Sequence, residues 1–208
     1  MNYIENIFIC LTAPLLTAVI CLKGTRRRML LFLLAGMTAC LFSSYISTFL
    51  AAALHADRLS ASLEIAPMVE EILKLFPLLF YLMVFEPRIE DAAGSMLMIA
   101  AGFATFENVC YLTANGAANM LHLLIRGFAT GAMHVVCGAI ISVGLFYLWD
   151  RLWLRAVGTI GLLALAVTYH GIFNILVSQT GIAARIGYVI PLLTAILLQM
   201  KVKAVGGR

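Results

Sequence analysis

Seven apolar runs, each close to the length of a bilayer crossing, fill almost the whole chain, and the links between them are short. They lie at Ile4–Leu22, Met29–Leu54, Pro67–Phe85, Gly94–Ala114, Ile125–Trp149, Arg155–Ser178 and Ile182–Met200. About twenty consecutive apolar residues are what one helical crossing requires, and a helix satisfies its own backbone where no water is present to do so. The expected fold is therefore all-α: a polytopic integral membrane bundle of about seven transmembrane helices. Composition agrees, with 63% hydrophobic and 12% charged residues and a mean hydropathy of +1.02, well outside the usual soluble balance. No repeat or long linker divides residues 1–208, so one transmembrane domain in a lipid bilayer is expected.

The net charge of +4 is not a nucleic-acid signal, because the basic residues sit in short loops beside apolar runs rather than on one exposed face. They report orientation instead. With the N-terminus outside and the C-terminus cytoplasmic, Lys23, Arg26, Arg27, Arg28, Arg88, Arg151, Arg155, Lys201, Lys203 and Arg208 face the cytoplasm, against Arg58, Arg126 and Arg185 outside. The first run is expected to be retained, since its positive cluster follows the run instead of preceding it. The five cysteines show no metal or disulfide spacing and read as small buried hydrophobes.

Against this background the charged and polar residues inside the runs stand out. Glu70, Glu71, Lys74, Glu107, His134, His170 and Asn174 all fall toward the outer end of their helices. At ~1.5 Å per residue Glu107 lies about 10 Å, His134 about 13 Å and His170 about 12 Å below that surface. Charges near a bilayer centre cost ~2.5 to more than ~10 kcal/mol, so groups like these are kept with a partner or for a task. Glu70 and Lys74 are four apart and share a helix face, where the ammonium can hold one carboxylate ionised while the other takes a proton from water. His170 and Asn174 share a face in the same way: an imidazole for acid-base or metal work, and an amide to orient it or to donate to an oxyanion. Glu107 and Tyr111 share a third, so the phenol could bond the carboxylate or a substrate carbonyl, and Gly102 permits close backbone approach. Gly131 and Gly138 flank His134 and could allow close helix packing. Arg126 opens the fifth run, where a snorkelling role is the plain alternative.

The ordered blocks Glu70-Glu71-x-x-Lys74, Gly102-Phe-Ala-Thr-Phe-Glu107-Asn-x-x-Tyr111, Arg126 followed by His134, and His170-Gly-x-x-Asn174 resemble the PrsW family of intramembrane proteases, within the wider group of CAAX prenyl endopeptidases and Abi proteins. The resemblance spans about 67–178. It implies a multi-pass protease of the cell membrane, the bacterial plasma membrane in its best-known members, that clips a membrane-anchored protein near the extracytoplasmic face. In those members the substrate is an anti-sigma factor, cut at its first site. Catalytic roles would pass to Glu70, Glu71, Glu107, His134 and His170, with Lys74, Arg126 and Asn174 completing the site. Two metal answers stay open: zinc on Glu71, Glu107, His134 and His170, or a metal-free glutamate/histidine site. A noncatalytic scaffold and an ion- or proton-coupled transporter are the rival functions. The transporter expects a midplane site between repeated halves, which this chain lacks.

Overall fold

The computed structural model describes residues 4–116 and 119–206, with the side chains at 89, 90 and 200–206 excepted. Of the basic residues that report orientation, Arg208 and the side chains of Lys201 and Lys203 lie outside the described residues. Helix α1 covers Ile4–Cys21, α2 Gly24–Ala53, α3 Arg58–Ser60, α4 Ala66–Phe85, α5 Ile89–Asn115, α6 Met120–Leu148, α7 Leu152–Val177 and α8 Ile182–Gly206, with a π-helical turn, Ala61–Ile65, leading into α4. Among the described residues six helices are long and apolar enough to cross a membrane: α1, α2, α5, α6, α7 and α8. Helix α4 is the seventh long apolar run, and it carries Glu70, Glu71 and Lys74 within twenty residues.

Several helices begin earlier than the apolar runs that announced them. Helix α2 starts at Gly24 rather than near Met29, α5 at Ile89 rather than Gly94, and α6 at Met120 rather than Ile125. The reason is physical: hydrophobicity marks the thickness of the hydrocarbon, whereas helix length is set by backbone hydrogen bonding, which continues into the polar interface.

The larger difference lies in 55–66, read from sequence as a connection. After His55, which takes a left-handed φ of 52°, Asp57 accepts a hydrogen bond from the Ser60 amide at 2.7 Å and starts a helical stretch that runs unbroken into α4. That bond holds the Asp57 carboxyl below its ordinary pKa. Pro67 accounts for the π turn. It has no N–H to give the Leu63 carbonyl, and its ring crowds that carbonyl, so the chain widens there and the Ala66 amide bonds Ala61, five residues back.

The bundle is organised around α5, which packs on α2, α4 and α6. Its crossing with α2 is a backbone contact: a Cβ on Gly36 would lie 2.0 Å from the Ile99 carbonyl oxygen, and one on Gly102 2.0 Å from that of Leu33. Gly131, by contrast, has no neighbour within 4 Å of where its Cβ would stand, so it allows no close packing, while at Gly138 the Ala100 methyl is 3.2 Å away. One apolar core joins Leu78, Leu82, Met96, Ile99, Ile141 and Leu145 toward the basic-loop end. A second joins Leu34, Met37, Cys40, Phe103 and Phe106 between α2 and α5. The polar side chains of α4, α5, α6 and α7 meet beside these cores.

Candidate active site

Helix α4 supplies the centre. Glu71 and Lys74 are fully buried, and the Lys74 ammonium donates to Glu71 Oε1 at 2.5 Å. The partner is thus the residue three before Lys74, not Glu70 four before it. A second bond from Lys74 Nζ reaches His134 Nδ1 on α6 at 2.8 Å, and the ammonium lies 4.8 Å from the centroid of the Phe103 ring, where the ring face attracts a cation.

His134 is also fully buried and spends its other nitrogen on α5, with Nε2 2.5 Å from Glu107 Oε2. Because Lys74 has only protons to give, Nδ1 accepts and Nε2 carries the ring hydrogen toward the carboxylate. Glu107 is held from its other side by Arg126, whose guanidinium reaches Glu107 Oε1 at 3.2 Å and Asn108 Oδ1 at 2.6 Å. Arg126 also stacks 3.6 Å over the centroid of Tyr111. It is therefore no snorkelling residue: its side chain is 16% exposed. Tyr111 takes a different partner from either expected one, its phenol meeting His122 Nε2 at 3.2 Å.

On α7, His170 stands at right angles to His134 with ring centroids 5.1 Å apart. Its Nδ1 lies 2.8 Å from Glu71 Oε1, and a carboxylate paired to an ammonium only accepts, so Nδ1 is the donor and, in the neutral imidazole, Nε2 carries the lone pair. That lone pair faces Glu70 Oε2 at 3.8 Å. Two acceptors thus oppose each other, and Oε2 of both Glu70 and Glu71 is buried without a hydrogen-bond partner among the described residues. Asn174, expected to donate to an oxyanion, gives its amide hydrogen to the Ser62 carbonyl at 3.0 Å, a carbonyl in the π turn. Gly171, on the same face, stands 3.8 Å, measured from an added Cβ, from the Leu63 carbonyl, to which Pro67 has no N–H to give.

The formal charges of Glu70, Glu71, Glu107, Lys74 and Arg126 sum to one negative, so the layer has room for a cation. Glu70, His134 and His170 each offer a ligand atom within 4.8 Å of the others, where a tetrahedral zinc with bonds of ~2.0–2.1 Å would draw its ligands to ~3.4 Å. The donor types suit zinc, and Glu70 and His170 present free atoms. Both His134 nitrogens are engaged, so a metal drawing on His134 must displace Lys74 or Glu107. This grouping differs from the set expected from sequence: Glu71 and Glu107 are turned to His170 Nδ1 and His134 Nε2, where carboxylates orient imidazoles. Three participants had gone unassigned. Asn108 was visible beside Glu107, Phe103 lay inside the same motif, and the Ser62 carbonyl left no trace in the sequence.

The family model for the PrsW family intramembrane metalloproteases matches residues 24–200. No curated protein and no solved structure matches the chain. The chain belongs to the PrsW family, and is a multi-pass intramembrane protease acting on a membrane protein in a lipid environment.

Proposed function

We propose, from that membership and this geometry, that the protein hydrolyses a peptide bond of a membrane-anchored protein at the extracytoplasmic side of a bacterial plasma membrane, with Glu70 as general base. The observation that carries the assignment is the opposed pair: Glu70 Oε2 and His170 Nε2 lie 3.8 Å apart, and that carboxylate oxygen is buried without a hydrogen-bond partner among the described residues. A water there can donate one proton to each. Glu70 removes the proton as the water oxygen bonds the scissile carbonyl carbon, and returns it to the amine nitrogen as the C–N bond breaks. The hydroxyl ends on the acyl product and the proton on the amine.

The remaining residues hold this arrangement. Glu71, fixed by Lys74, keeps the His170 hydrogen on Nδ1 and so keeps Nε2 aimed at the water. Glu107, fixed by Arg126, orients His134. Asn174 acts as a positioning residue: it ties the π turn to α7 and thereby sets the rotation of the start of α4, whose second turn carries Glu70 and Glu71. Zinc would be held by Glu70, His134 and His170. The chemistry such an ion supplies is Lewis-acid polarisation of a carbonyl.

An anti-sigma factor with one membrane span, cut at its first site, is the substrate class proposed. The test uses purified protein with single-span candidates and records product masses for the wild type, Glu70→Gln and His170→Ala. Product from the wild type alone supports the reading; equal product from all three sinks it. Metal analysis of active, chelator-treated protein separates the two mechanisms, because full turnover at well under one ion per chain leaves the glutamate/histidine account standing. The orientation is read by labelling single cysteines with an impermeant thiol reagent in cells: reaction at position 56 without reaction at position 26 is expected.

A further inference from the structure

A groove open to lipid runs between α2 and α4, beside the catalytic face of α4 rather than on it. Two cavities of about 420 and 370 Å³ share Ala35, Pro77 and Phe80 in their walls. The sequence explains the gap. Helix α2 presents small side chains at Ala35, Thr38 and Ala39, and Pro77 interrupts the backbone bonding of α4 while offering only a ring to fill the space. Phe80 walls the groove and is 61% exposed.

The mouth of the larger cavity is formed by Gly24, Arg27 and Arg28 at the start of α2. Arg28 is fixed there, donating to the Tyr81 hydroxyl at 3.0 Å and to Asp91 at 2.8 Å, and its Nε is buried without a partner among the described residues. Arg27 forms no ion pair among the described residues, and Asp91 is already shared with Arg88 at 3.9 Å. Among the described residues no side chain caps the first turn of α2, so its amide hydrogens are also left for a ligand. An apolar trough therefore ends in surplus positive charge at the level where headgroups lie.

The geometry points to a binding site for an anionic glycerophospholipid, with its phosphate on Arg27, the Arg28 Nε and the first turn of α2, and one acyl chain along Ala35, Pro77 and Phe80. Basic pockets between spans on the side of the basic loops attract anionic headgroups in this way. A docked substrate helix fits less well: it would bring its own flanking basic residues against Arg27 and Arg28. The site does not depend on the protease reading. It touches catalysis only through α4, since Pro77 lies three residues beyond Lys74.

The test places the full chain in phosphatidylcholine nanodiscs containing phosphatidylglycerol, some of it carrying a photoreactive acyl chain, and follows crosslinked peptides and lipids retained in native mass spectra. Wild type is expected to retain phosphatidylglycerol over phosphatidylcholine and to crosslink at α2 and α4. Arg27→Gln should weaken retention about fivefold, the equivalent of ~1 kcal/mol for one basic residue. Ala35→Leu, which fills the trough and leaves the charge, should remove the crosslink. Equal retention of both lipids by the wild type overturns the proposal. So does an unchanged crosslink in both folded variants, or its displacement by a single-span substrate peptide.

Discussion

Two basic residues in this molecule do the same local job in different surroundings. Lys74 donates to Glu71 at 2.5 Å beside the Phe103 ring, and both side chains are fully buried. Arg28 donates to Asp91 at 2.8 Å beside the Tyr81 ring, with the two side chains 27% and 29% exposed. At the Arg28 end, water and headgroups can replace any lost partner. Around Lys74, Glu71, His134 and His170, none of them more than 3% exposed, only protein can, so each group there satisfies another, in a series that enters from the rim through Arg126 and Glu107, 16% and 27% exposed. Glu70 stands where that series stops, 3.8 Å beyond His170, and an oxygen is left over on it as on Glu71. Burial is thus what turns an ordinary ion pair into an oriented site.

The contrast can be broken most sharply by activity. Glu70→Gln keeps the shape and removes the base, so turnover should fall ~10²–10⁴-fold with the folded fraction unchanged, measured by product mass and detergent-resistant folding. Next comes stability: Lys74→Met strands the buried Glu71 charge and should cost ~3–5 kcal/mol. Adding Glu71→Gln should return part of that loss, and a strictly additive double variant would show the pair to be uncoupled. A smaller effect is expected at the helix crossing, where Gly102→Ala pushes a methyl into the Leu33 carbonyl and should cost ~1–3 kcal/mol. Gly131→Ala, with open space around it, should instead gain ~0.5–1 kcal/mol. The smallest change belongs to Arg28→Gln, a loss of ~0–1 kcal/mol that shrinks in salt. If unfolding curves rank it beside Lys74→Met, exposure does not separate the two clusters.

The sequence carried the architecture a long way, because apolar length and the price of an unmatched charge in lipid are properties of the residues themselves. The seven apolar runs, the shared depth of Glu107, His134 and His170 and the ordered motifs needed no coordinates. Boundaries at Gly24, Ile89 and Met120 escaped, since hydrophobicity reports where lipid ends and not where hydrogen bonding does. The helical stretch before α4 escaped for a related reason: a polar segment of mixed composition reads as a connection until Pro67 and Asn174 are seen to act on it from either side.

Which atoms meet was a tertiary decision. Spacing alone offered Glu70 to Lys74, yet Lys74 chose Glu71, because the ammonium must also reach His134 on another helix. That choice left Glu70 facing His170, sent Glu71 and Glu107 behind the imidazoles, and committed the Asn174 amide to the Ser62 carbonyl. Residue type and depth are written along one chain; the partner of a buried polar atom depends on how four helices are rotated about their axes, and packing fixes those rotations.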